Sequence, residues 1–159
     1  MERKKEFYNA IRNGDGLTVS NLLETDKSLL SSKDERGSTP LILATYYDQK
    51  EIAETLLQKG AAIDDMDGSG NTALMGVCFK GYSELAKILI EAGANVNHVN
   101  SMGATCLIYA ATFNKLEIAR LLLDHGADIS TRDARGNTAL DQAKMQGSQP
   151  LIELLETKT

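Results

Sequence analysis

The feature that most limits what this chain can fold into is a recurrence at 33 residues. Gly37, Gly70, Gly103 and Gly136 keep that step, as do Thr39, Thr72, Thr105 and Thr138, and Leu41, Leu74, Leu107 and Leu140. Ile52, Leu85, Ile118 and Leu151 follow it too, with Gly60, Gly93 and Gly126. A chain that repeats at this length makes one supersecondary unit several times and buries apolar faces between copies, not around a single centre.

Within the unit Asp34 to Asp64, "DERGSTPLILATYYDQKEIAETLLQKGAAID", the local chemistry reads as turn, helix, connection, helix. Gly37 supplies the turn, Asp34 can accept from the turn backbone, Thr39 is placed to cap a helix and Pro40 fits its first position. Leu41 and Ala44 give the first helix a short apolar face. In the second helix Ile52, Ala53, Leu56 and Leu57 face one way and Lys50, Glu51, Glu54 and Gln58 the other, before Gly60 ends it. Asp48, Gly81 and Asn114 occupy one position in the helix-helix connection, and all three residue types tolerate left-handed backbone. The expected first helices are roughly 40–47, 73–80, 106–113 and 139–146. None has more than about two or three turns, so none is stable alone and stacking must hold them.

On these positions the sequence resembles the ankyrin repeat family. The resemblance implies an all-α repeat solenoid of stacked helix-turn-helix units with short β-hairpin fingers, about 40 Å long at roughly 10 Å per step. It divides the single domain 1–159 into an N-terminal capping unit 1–33, regular units 34–66, 67–99 and 100–132, and a C-terminal capping unit 133–159. In the first unit Leu22 matches Leu56 at a separation of 34, which implies one inserted residue. Ser148 is expected to cap the last helix. The family's Thr-Pro-Leu-His opening reads here "TPLI", "TALM", "TCLI" and "TALD". No unit keeps the His that ties adjacent turns in the family. Ile42, Met75, Ile108 and Asp141 replace it, so packing is expected to take over from those hydrogen bonds.

Composition narrows the function. Hydrophobic residues at 42% and charged residues at 25% describe an ordered soluble chain, and a formal net charge of -5 disfavours nucleic acid. No apolar run is long enough to span a membrane. Cys78 and Cys106 form no metal-type pattern and read as small buried fillers, which favours a cytoplasmic, reducing location. His98 and His125 stand apart from any HExxH or cysteine partner, and "DGSGN" at Asp67–Asn71 lacks the lysine of a phosphate loop. No enzyme, metal or cofactor is expected. Glu84 with Lys87 and Glu117 with Arg120, three apart on second helices, read as solvated pairs.

Residues that differ between units at exposed positions are the candidates for function. In the ankyrin family partners usually meet the finger tips and the outward face of the first helices. Carried over, that gives Glu35 and Arg36 with Tyr46 and Tyr47 in the first regular unit, and Ser69 with Phe79 and Lys80 in the second. The third supplies Met102 with Tyr109 and Phe113, and the fourth Arg135. Five of the eight aromatic residues fall in first helices, which would give an aromatic strip if exposed together. The expected function is to bind another protein or peptide, as adaptor, regulator or inhibitor, with the chain monomeric or weakly self-associating. The alternatives are a small enzyme with a dispersed site, requiring His98 or His125 against an acid in a closed pocket, and a structural spacer.

Overall fold

The computed structural model describes residues 2–158; Met1 and Thr159, the ends of the expected capping units, lie outside them. Five helix pairs follow one another: α1 Glu2–Asn13 with α2 Gly16–Thr25, α3 Pro40–Tyr46 with α4 Lys50–Gln58, α5 Ala73–Lys80 with α6 Ser83–Glu91, α7 Cys106–Thr112 with α8 Leu116–Asp124, and α9 Ala139–Gln146 with α10 Gln149–Glu156. The first helices pack in chain order, α1 on α3, α3 on α5, α5 on α7 and α7 on α9, and each also packs on its own second helix. Two rows result, with one core running between them. Phe7, Ile11, Leu41, Leu56, Leu74, Leu89, Leu107, Leu122 and Leu151 are all fully buried in it. Each fully buried Leu or Phe stabilises the stack by about 1.5–3 kcal/mol, so no single pair could stand without its neighbours.

Sequence explains where each helix starts. The hydroxyls of Thr39, Thr72, Thr105 and Thr138 accept from the backbone N–H of Ile42, Met75, Ile108 and Asp141. At Thr138 the cap closes reciprocally, because its own N–H donates to Asp141 Oδ2 at 2.9 Å. The left-handed connection is present at Asp48, Gly81 and Asn114, with φ of 56°, 83° and 56°. The corresponding positive φ in the first unit falls at Gly14, 34 residues before Asp48, so the extra residue exists. It lies in the link after α2, which forms a 3₁₀ turn, Lys27–Ser31, that no later unit repeats among the described residues.

The fingers are not β-hairpins. Among the described residues no strand forms. Each finger is a tight turn closed by one backbone pair, such as Asp34 N to Ser38 O at 3.0 Å and Gly37 N to Asp34 O at 3.0 Å. Asp34 Oδ1 takes two further N–H groups, from Arg36 and Ser38, which a ladder would otherwise have used. The arm before the second turn is itself turned, with Asp65 N donating to Ala62 O, so no extended segment is left to pair. Single backbone bonds link successive tips: Gly68 N to Arg36 O, Ser101 N to Ser69 O and Ala134 N to Met102 O.

Two smaller expectations also change. Ser148 does not cap α10; its hydroxyl donates to Asn114 Oδ1 of the preceding unit at 2.6 Å. Glu84 pairs with Lys50 of the neighbouring unit in place of Lys87 three residues on.

Candidate functional site

Chain direction separates the sequence-predicted residues into two groups. Glu35, Arg36, Ser69, Met102 and Arg135 stand at the turns that precede the first helices, and all are exposed. Tyr46, Tyr47, Phe79, Lys80 and Phe113 stand at the other ends of α3, α5 and α7. A helix of seven or eight residues puts about 10 Å between the two groups.

At the far ends the rings converge. Tyr46 meets Tyr47 edge-on at 5.4 Å between centroids, and Phe79 meets Phe113 edge-on at 4.7 Å. Both are favoured edge-to-face arrangements, yet the four rings remain 46%, 44%, 47% and 40% exposed. Lys80, the residue after Phe79 in α5, reaches the first pair, with its Nζ 4.6 Å from the Tyr46 ring centre and 5.7 Å from that of Tyr82. Met145 of α9, at the same repeat position as Tyr46 and Phe79, extends the exposed apolar row.

Tyr109 adjoins the strip through Phe113, at 6.3 Å between ring centroids, but turns its hydroxyl to the loop before α7. It is half-buried, and its hydroxyl accepts from Asn100 Nδ2 at 2.7 Å. The same amide donates to Asn71 Oδ1 at 2.8 Å, while Asn100 Oδ1 accepts the N–H groups of Met102 and Ala104. Asn100 is only 7% exposed, and one side chain thereby holds its own turn, the preceding turn and α7 together. The sequence carried a signal for this: Asn100 stands where the other turns have Asp34, Asp67 and Asp133. A carboxylate accepts but cannot donate.

The lost His of the first-helix opening is replaced by two devices. Met75 and Ile108 are buried and pack, as expected. Hydrogen bonds to the turns from neighbouring segments nonetheless persist through other residues, His98 Nε2–H donating to Gly70 O at 2.9 Å and Tyr8 O–H of α1 to Ser38 O at 3.3 Å. Residues at the start of the second helices were also missed as contacts. The Gln49 side chain reaches over Gly14, Lys115 over Gly81 and Ser148 to Asn114, each clasping the preceding unit's left-handed connection.

His98 and His125 are both taken by backbone carbonyls, His125 Nδ1 lying 2.9 Å from Leu121 O. Neither lines the cleft at α1 or the cleft at the α9–α10 end. Cys78 and Cys106 are buried. Their mutual hydrogen bond, followed by burial, pushes the Cys78 thiol well above its ordinary range and away from a nucleophilic thiolate. Among the described residues no group of three metal-ligating side chains occurs, and no helix is long and apolar enough to cross a membrane.

No curated protein sequence matches the chain. The family pattern for ankyrin repeats (3 copies) matches residues 7–100 and 74–158, which together take in most of the helix pairs described above. Its reach over nearly the whole length, with the same repeated caps and connections in every regular unit, shows that the chain belongs to the ankyrin repeat family.

Proposed function

We propose that the protein works by docking another protein or a peptide along its row of first helices, as adaptor, regulator or inhibitor. Ankyrin-repeat folds generically mediate protein–protein interaction and are typically non-catalytic scaffolds. The anchor is the loop-end strip of Tyr46, Tyr47, Phe79 and Phe113, and the tips at Glu35, Arg36, Ser69, Met102 and Arg135 set register. Tyr109 supports α7 and is left out of the contact surface. The single observation that carries the reading is the Phe79–Phe113 pair, packed at 4.7 Å yet 47% and 40% exposed. Preordered exposed rings lose little side-chain entropy on contact, and aromatic anchors carry most of the binding energy at protein interfaces. The net charge of -5 supports a protein partner over a polyanion, and the two free thiols support a reducing, cytoplasmic setting.

Affinity capture from native lysate with the wild type beside Tyr47→Ala/Phe113→Ala tests this. The wild type is expected to retain proteins that the variant loses while keeping its helical circular dichroism. Equal retention by a folded variant, or none by the wild type, removes the reading.

A further inference from the structure

The two helix rows differ in charge, and that difference says what kind of partner the strip accepts. The second helices α4, α6, α8 and α10, with the residues that cap their C-terminal ends, carry eight carboxylates against four cations, Lys50, Lys59, Lys87 and Arg120. The first helices α3, α5, α7 and α9, with the connections that follow them, carry three cations, Lys80, Lys115 and Lys144, against two carboxylates, Asp48 and Asp141. Asp141 is already occupied, by the Thr138 N–H and by Arg132 at 3.7 Å. An acidic partner is therefore repelled by the second-helix row and drawn to the first, whereas a basic partner is drawn to the wrong side of the molecule.

Lys80 sharpens this from a face to a point. Its ammonium rests against the Tyr46 and Tyr82 rings and has no carboxylate partner among the described ion pairs, although Lys50 and Lys59 on the second-helix row both have one. Water serves the remaining N–H groups while the strip is open. A partner that covers Phe79 and Phe113 removes that water, and a cation left buried without an anion opposes binding strongly. Lys115, lying along Gly81 beside the same connection, adds a second positive charge nearby. A side chain that fills the ring surface while supplying a carboxylate one or two residues away meets both demands at once.

Resting on the docking reading above, we infer that the strip binds an acidic peptide segment in which an aromatic or aliphatic side chain covers Phe79 and Phe113 while an adjacent Asp or Glu pairs with Lys80. The apolar group supplies the contact area. The carboxylate turns Lys80 from an obstacle into a selector, and basic segments are rejected by the same ammonium.

Selection from a display library of short random peptides tests this on the full chain, with four baits: wild type, Lys80→Met, Lys80→Glu and Tyr47→Ala/Phe113→Ala. Wild-type clones are expected to be enriched in Asp or Glu within two residues of an aromatic or aliphatic anchor. As synthetic peptides they should bind Lys80→Met about tenfold more weakly, and their affinity for the wild type should fall as salt rises. Lys80→Glu should select clones with Lys or Arg at the same place. Thermal unfolding of each bait confirms that it is folded, which the half-exposed position of Lys80 favours. If clones are lost on the double variant but show no acidic excess, or bind Lys80→Met unchanged, the acidic partner is wrong and strip docking stands. If the double variant retains the wild-type clones equally, the strip is not the docking surface and both readings fall.

Discussion

The two ends of the first helices are built from opposite materials. At the turn end, polar groups are spent inside the protein: Asp34, Asp67, Asn100 and Asp133 accept their own turn N–H groups, and backbone bonds step from tip to tip. At the connection end, Asp48, Gly81 and Asn114 turn the chain in the left-handed region and leave rings half in water. The turn end is rigid because its hydrogen bonds are used up. The connection end keeps four half-exposed rings, and under the proposed function these are the surface from which a partner draws binding energy.

The comparison breaks most visibly if the turn end proves soft. Gly103 has φ of 74°, and a Cβ added there would lie 2.9 Å from the Ala134 backbone N. Gly103→Ala combines left-handed strain with a clash against backbone and should cost about 3 kcal/mol in urea unfolding. At the connection end Gly147 has φ of 69° but open space around the added carbon. Gly147→Ala should therefore cost only about 1–2 kcal/mol. Equal losses would mean that tip-to-tip packing contributes nothing.

Next in size is the effect on a captured partner. Phe79→Ala/Phe113→Ala should weaken retention by about 2 kcal/mol or more, roughly thirtyfold, with much less effect on unfolding because both rings are half exposed. Arg135→Ala at the turn end should cost at most about 1 kcal/mol, since an exposed charge contributes little. Titration of one partner against both variants decides it. A larger loss at Arg135 would move the anchor to the turns.

Asn100 shows how far the contrast was readable beforehand. The repeat, the threonine caps and the left-handed connections are local, so spacing and residue type revealed them. The strip was half readable, because repeat position placed Tyr46, Phe79 and Phe113 at helix ends. What was not readable crosses between units: Asn100 to Asn71, Lys80 onto Tyr46, Lys115 over Gly81. The β-hairpin expectation came from family resemblance, and the hydrogen-bond geometry of these particular turns overrode it. Asn100→Asp keeps the two turn acceptors but removes the donor to Asn71 and Tyr109, and should cost about 1–1.5 kcal/mol. Tyr109→Phe should cost about 1 kcal/mol, and in an Asn100→Ala background much less, because there the bond is already gone, whereas the carboxylate of Asn100→Asp can still accept from the tyrosine hydroxyl. Fully additive losses would separate the two residues and return Tyr109 to the exposed strip.

An equally small effect at neutral pH belongs to Tyr8, which ties α1 to the first turn, and pH is what exposes it. Its phenol is buried and bonded to Ser32 and to the Ser38 carbonyl. Burial is the main reason its pKa rises from an ordinary 10.0 to about 12, helped by Asp34 and opposed by the Ser32 bond and Arg12. A folded value above the unfolded one means that the fold favours the neutral phenol. Stability from Tyr8 is then complete below pH 10.0 and drains away as pH climbs toward about 12, because the unfolded chain releases the proton first. Tyr8→Phe should lose about 1 kcal/mol at neutral pH for the missing hydrogen bonds, and that deficit should narrow across the alkaline window. Urea unfolding of the two proteins at stepped alkaline pH measures the gap directly. A constant gap would mean that Tyr8 ionises in the folded protein as readily as in the unfolded chain, and that the first turn is held by packing rather than by its hydroxyl.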